Sequence, residues 1–143
     1  MKRSVVLLVE QDPELRDRMG GWVEEAGYEV VICPGPSAPD YTCVASRGVP
    51  CALARAADLV VLDLWLASDS ALQGTSSTKL LSYYLRAGKP VVGLSPGRDH
   101  SRLVKLFLEE DVVLLDWPPD QRELAETVGA VLRGTSEAKN GGE

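Results

Sequence analysis

Asp58-Leu59-Val60-Val61-Leu62-Asp63-Leu64 is the stretch on which the fold turns. Its middle, Leu59 to Leu62, is unbroken by any polar residue. A strand of that composition is buried on both faces, as in a parallel sheet covered by helices, and not on one face only. Asp63 then stands at the carboxyl end of the strand, the edge at which open α/β sheets bind ligands.

Working outward, four more strands follow from the same pattern. Val5 to Val9 is a buried strand that runs into Glu10-Gln11-Asp12, and Asp12-Pro13-Glu14 opens a helix: Asp is a good N-cap, Pro fits the first helical position, and Glu favours the positive end. Leu15, Met19, Trp22, Val23 and Ala26 fall on one side of that helix, Gly20 and Gly21 weaken it, and Gly27 ends it. Tyr28 to Ile32 is the second strand. Residues 33–50, with Pro34, Pro36, Pro39 and Pro50, have no helical period and read as an irregular loop insertion. Ala52 to Ala57 predicts one or two turns of helix before the strand that ends at Asp63.

Beyond Asp63, Ala67 to Gly74 is irregular, and Thr75 or Ser76 caps a helix through Leu80, Leu81, Tyr84 and Leu85 that Gly88 closes. Val91 to Leu94 is the fourth strand, ending at Ser95. A helix from Asp99 or His100 precedes the fifth, Val112 to Leu115, and Pro119 or Asp120 opens a last helix through Leu132. Strands alternating with helices predict one domain over residues 1–134: α/β, a five-stranded parallel doubly wound sheet in three layers, α/β/α. The polar stretch 135–143 reads as a disordered tail.

The chain has 143 residues, 45% of them hydrophobic, and a formal net charge of −6. It lacks the clustered Lys and Arg that a nucleic-acid face needs, so nucleic acid is not an expected partner. The apolar run after Met1-Lys2-Arg3-Ser4 is too short for a signal peptide core or a membrane span, so a cytoplasmic protein without a membrane partner is expected. Three cysteines, at 33, 43 and 51, match neither a secreted disulfide framework nor a zinc spacing. His100 reads as a solvated helix cap, and of Tyr83 and Tyr84 one is expected to pack and one to be exposed.

Three strand ends carry polar groups that such a sheet gathers: Glu10 and Gln11, Asp63, and Ser95. Glu10, Gln11 and Asp63 are candidate ligands for Mg²⁺, which takes oxygen donors and keeps several waters. Ser95 offers a hydroxyl to an anion on Asp63.

Val5 to Arg16, the segment Glu24-Glu25-Ala26-Gly27-Tyr28-Glu29-Val30-Val31, Asp58 to Leu64, and Pro90-Val91-Val92-Gly93-Leu94-Ser95 together resemble the receiver domains of two-component response regulators, over roughly residues 4 to 133. The resemblance implies a flavodoxin-like sheet, Asp63 as phosphoacceptor, Ser95 as the switch residue and weakly bound Mg²⁺. It implies a stand-alone signalling module, not an enzyme, whose partner is a histidine kinase or a downstream effector. The surface of the fourth helix, fifth strand and fifth helix is the expected contact, for such a protein or for a second copy of the chain. Two positions depart from the family. Gln11 stands where it has a second acid, and Trp117, before Pro118, where it has a Lys; the first change weakens cation binding and the second removes the cation that pairs with an acyl phosphate. An atypical receiver that works through protein contact is therefore expected, more than one that works through phosphorylation.

A second likeness lies in Asp69-Ser70, Gly74-Thr75, Leu80-Leu81, Tyr84 and Gly88-Lys89-Pro90-Val91, which are similar to a segment of nucleoside deoxyribosyltransferase-like domains. It implies a nucleoside- or nucleotide-like ligand at a helix start formed by Thr75, Ser76 and Ser77, where backbone amides favour anions. The catalytic Glu of those domains has no counterpart here; Thr78 and Lys79 hold the nearest positions.

Overall fold

The structure, a computed structural model, describes residues 3–10, 12–33, 52–63, 83–95, 112–116 and 118–141, with backbone only for 95 and 135–141. Five strands form one sheet: β1 (Val5–Val9), β2 (Glu29–Cys33), β3 (Leu59–Asp63), β4 (Val91–Ser95) and β5 (Val112–Asp116). Three helices are described with them: α1 (Pro13–Glu25), the short α2 (Ala52–Ala56) and α3 (Gln121–Gly141). Residues 83–86 are also helical. Every strand pairing is parallel, and the order is β2-β1-β3-β4-β5. This is the doubly wound sheet expected from the alternating pattern, and its order reverses between β1 and β3.

Side chains of successive strand residues point to opposite faces, and each face has its own core. On one side Leu7, Val9, Val60, Leu62 and Val91 pack with Ala54 of α2 and with Tyr84. On the other, Val6, Leu8, Leu59, Val61, Val92 and Leu94 pack with Leu15, Met19 and Val23 of α1 and with Leu124 and Val128 of α3. β1 and β3 are buried along their whole length, which explains why neither alternates with polar residues. β2 and β5 are the sheet's edges and the more exposed strands; Ile32 and Val113 are its exposed large hydrophobic residues among those described.

Short-range devices set these elements in place. The Asp12 carboxylate accepts hydrogen bonds from the amides of Glu14 and Leu15, so it is the N-cap of α1, with Pro13 as its first residue. The end of α1 is a Schellman motif: the Tyr28 amide donates to the Val23 carbonyl and the Gly27 amide to the Glu24 carbonyl, with Gly27 at φ +103°. The same arrangement recurs before β4, where Lys89 donates to Tyr84 and Gly88 to Leu85, with Gly88 at φ +76°. Asp120 caps α3 through its carboxylate and the Glu123 amide, 2.7 Å apart.

Four expectations need correction. Cys33 is not the first residue of the loop insertion but the last of β2, and it is buried in the core; a small thiol packs there like an aliphatic group. The 34–50 remainder of that insertion lies outside the described residues. α3 runs to Gly141, into the stretch read as a disordered tail, because a helix already held by its packed part extends cheaply through Glu137, Ala138 and Lys139, all good helix formers. Tyr83 is half-buried and not exposed: its ring meets that of Tyr84 edge-on at 5.7 Å, and both belong to the same core. Ala26, placed on the packed face of the first helix, is its exposed C-cap. The helix expected from Asp99 or His100 lies outside the described residues. Among those described, no helix is long and apolar enough to cross a membrane.

Candidate functional site

Val9 pairs with Leu62, so Glu10 and Asp63, each the next residue, emerge side by side from β1 and β3. This is the carboxyl edge at the point where strand order reverses, the usual crevice for a ligand in open α/β sheets. Glu10 is 0% exposed and Asp63 1%. They are the buried acids among the described residues, and a protein keeps carboxylates at such depth only with polar partners or a cation.

Glu10 is held from both sides. Its backbone amide donates to the Cys33 carbonyl at 3.1 Å, continuing the β1–β2 ladder past the strand, and its Oε2 accepts the Asp12 amide at 3.1 Å. Asp12 is exposed and serves the helix, so the two acids of Glu10-Gln11-Asp12 that lie in the structure are separated by role: Glu10 faces the interior and Asp12 caps α1. Ser95 ends β4 one residue beyond Leu94, the partner of Asp63, and its own register partner is Asp116. The edge thus brings together the backbone positions of Glu10, Asp63 and Ser95, as the strand reading implied. Gln11, Thr75, Ser76 and Ser77 lie outside the described residues, as does Trp117.

Two further carboxylates lie near this framework. Asp116 ends β5 beside Ser95 and is exposed; the signal was available in Leu114-Leu115-Asp116, which ends in the same way as Val61-Leu62-Asp63. Asp58 is the other: its Oδ2 accepts the Val5 amide at 2.8 Å while its own amide donates to the Val5 carbonyl at 2.7 Å, pinning the start of β1 to the start of β3.

Among the described residues no group of three or more His, Cys, Asp or Glu side chains is placed to hold a metal ion. The edge offers two buried acidic residues on neighbouring strands instead. That donor chemistry fits Mg²⁺, which binds through one or two carboxylates and retains water.

Solved structures share this architecture. The chain matches the signal receiver domain of a protein from Vibrio parahaemolyticus at a TM-score of 0.71 and 17% identity, over 96% of each chain. It matches a response regulator receiver domain protein from Clostridium thermocellum at 0.69 and 12%, over 93% of this chain and 97% of that one. The chain has the receiver fold. A third such domain, the CheY-like protein of Methanospirillum hungatei JF-1, matches at 0.66 and 19%, over 95% of this chain and 98% of the other. No protein-family model and no curated protein matches the sequence. In this receiver fold Asp63 occupies the middle strand, with β1 on one side and β4 on the other.

Proposed function

We propose that the chain is an atypical receiver module of signal transduction, without enzymatic activity of its own, that acts by binding a protein partner. One observation carries this reading: Glu10 and Asp63 are buried next to each other at the carboxyl edge of a receiver-type sheet, where a receiver keeps its phosphoryl pocket. Glu10 and Asp63, with Gln11 between strand and helix, are the residues that would hold Mg²⁺. When bound, the cation supplies positive charge for an anion on Asp63; Ser95, at the end of the neighbouring strand, would offer that anion a hydroxyl.

Two substitutions argue that signalling here does not run through phosphorylation. Gln11 contributes no charge to the cation, and Trp117 provides no ammonium group to an acyl phosphate. Partner binding then depends on the surface of the fold in its resting state. The test is incubation of the protein with Mg²⁺ and acetyl phosphate, followed by intact-mass measurement. Wild type is expected to stay unmodified, and the double variant Gln11→Asp, Trp117→Lys to gain a phosphoryl adduct that Asp63→Asn removes. A stable adduct on Asp63 of the wild type overturns the atypical reading and makes the protein a working phosphoreceiver.

A further inference from the structure

A cation pocket at Glu10 and Asp63, as proposed above, bears on the first helix. Glu10 Oε2 accepts the Asp12 backbone amide at 3.1 Å, and Asp12 Oδ1 accepts the amides of Glu14 at 3.1 Å and Leu15 at 3.3 Å. The pocket carboxylate therefore holds the backbone of the residue whose side chain caps α1. Those two capped amides are among the four that a helix leaves without intrahelical partners, so their acceptor decides how firmly the first turn is held. The turn is not isolated. Leu15, Met19 and Val23 share a core with Leu124 and Val128 of α3, and Gln121 Nε2 donates to Glu25 Oε2 at 2.9 Å, tying the far end of α1 to the start of α3.

The geometry points to a link in which Glu10 and Asp12 are positioning residues that pass the state of the pocket to α1. A divalent cation bound between Glu10 and Asp63 competes with the Asp12 amide for the Glu10 carboxylate. As that hydrogen bond weakens, the Asp12 cap relaxes and the first turn of α1 loosens. By thermodynamic reciprocity, whatever fixes the first turn of α1, a bound partner included, changes cation affinity by the same factor. The α1 surface is thus a place where occupancy of the pocket is read.

The experiment is a MgCl₂ titration of the ¹⁵N-labelled full chain, following amide shifts and hydrogen exchange. In the wild type the amides of Asp12, Glu14 and Leu15 are expected to shift saturably with that of Asp63, and exchange at Glu14 and Leu15 to quicken several-fold relative to Val61. In Asp12→Ala the Asp63 amide should still respond while Glu14 and Leu15 stop following it; Asp12→Asn, which retains a capping oxygen without the charge, should restore the correlation. Response at Asp63 with none at Glu14 and Leu15, or an undiminished response there in Asp12→Ala, overturns the link and leaves the pocket intact. A silent Asp63 amide overturns the cation pocket itself. A metal-free variant tests the link separately: Glu10→Gln weakens the acceptor for Asp12 and should quicken exchange at Glu14 and Leu15 relative to Val61, and unchanged exchange overturns the link regardless of the cation.

Discussion

Asp58 and Asp63 bracket one strand, yet they were not equally legible. Asp63 could be read from its neighbours, because a carboxylate directly after a fully apolar strand has one place to be in a parallel sheet. Asp58 takes its role from Val5, 53 residues away, and no local pattern encodes such a pairing. Its contribution is measurable. A hydrogen bond from an amide to a charged group is worth roughly 1.5–3 kcal/mol, and partial exposure puts this one at the lower end. Asp58→Ala is expected to lower unfolding stability by about 1.5 kcal/mol, and Asp58→Asn by less, since the amide oxygen can still accept from Val5. Urea denaturation decides it: the midpoint should fall with an unchanged slope, and equal losses for both variants would mean that the carboxylate's charge, and not its position as acceptor, matters. Glu10 was likewise legible as an acid at a strand end, but its bond to the Asp12 amide was not, because Asp12 could be assigned as a cap without knowing what held its backbone.

Helices and strands were readable where local chemistry and burial agree. Gly27 and Gly88 were recognisable stops because each follows an apolar helical face, and both take the positive φ that side-chain-bearing residues resist. Gly20 and Gly21 are another matter: they lie inside α1, where a glycine weakens the helix. A Cβ at Gly21 would meet nothing within 4 Å, and one at Gly20 would make ordinary contacts, the nearest 3.6 Å from Ile32 Cδ1. Gly21→Ala and Gly20→Ala are therefore each expected to stabilise the protein by about 0.5–1 kcal/mol. Gly27→Ala and Gly88→Ala should instead destabilise it, by about 1 kcal/mol, because alanine is strained in the left-handed region. Thermal melts of the four variants would show opposite signs for the two pairs; a destabilised Gly21→Ala would mean that the open side of α1 is occupied in solution. The reach of α3 to Gly141 was missed for a physical reason: polarity alone does not distinguish a disordered segment from a solvated continuation of a packed helix.

For the molecule as a whole, the count and alternation of strands followed from the sequence, whereas the order β2-β1-β3-β4-β5 required either the likeness to receivers or the structure. That order matters most for function, since it puts β1 next to β3 and thereby sets two buried acidic residues at adjacent strand ends in a chain whose net charge is already −6. Anything that neutralises the pair in the folded state and ignores the unfolded chain raises overall stability. At a Mg²⁺ concentration ten times its dissociation constant the gain is about 1.4 kcal/mol, or roughly 5 °C in melting temperature for a domain of this size. General screening of an acidic protein would also raise the melting temperature, so the comparison must be made at equal ionic strength with NaCl, and with Asp63→Asn as the second control. Wild type is expected to gain stability from Mg²⁺ beyond the NaCl control, and Asp63→Asn to respond to the two salts alike. If wild type also responds alike, the carboxylate pair is satisfied entirely by protein groups, and a partner that recognises this fold does so without a cation in the pocket.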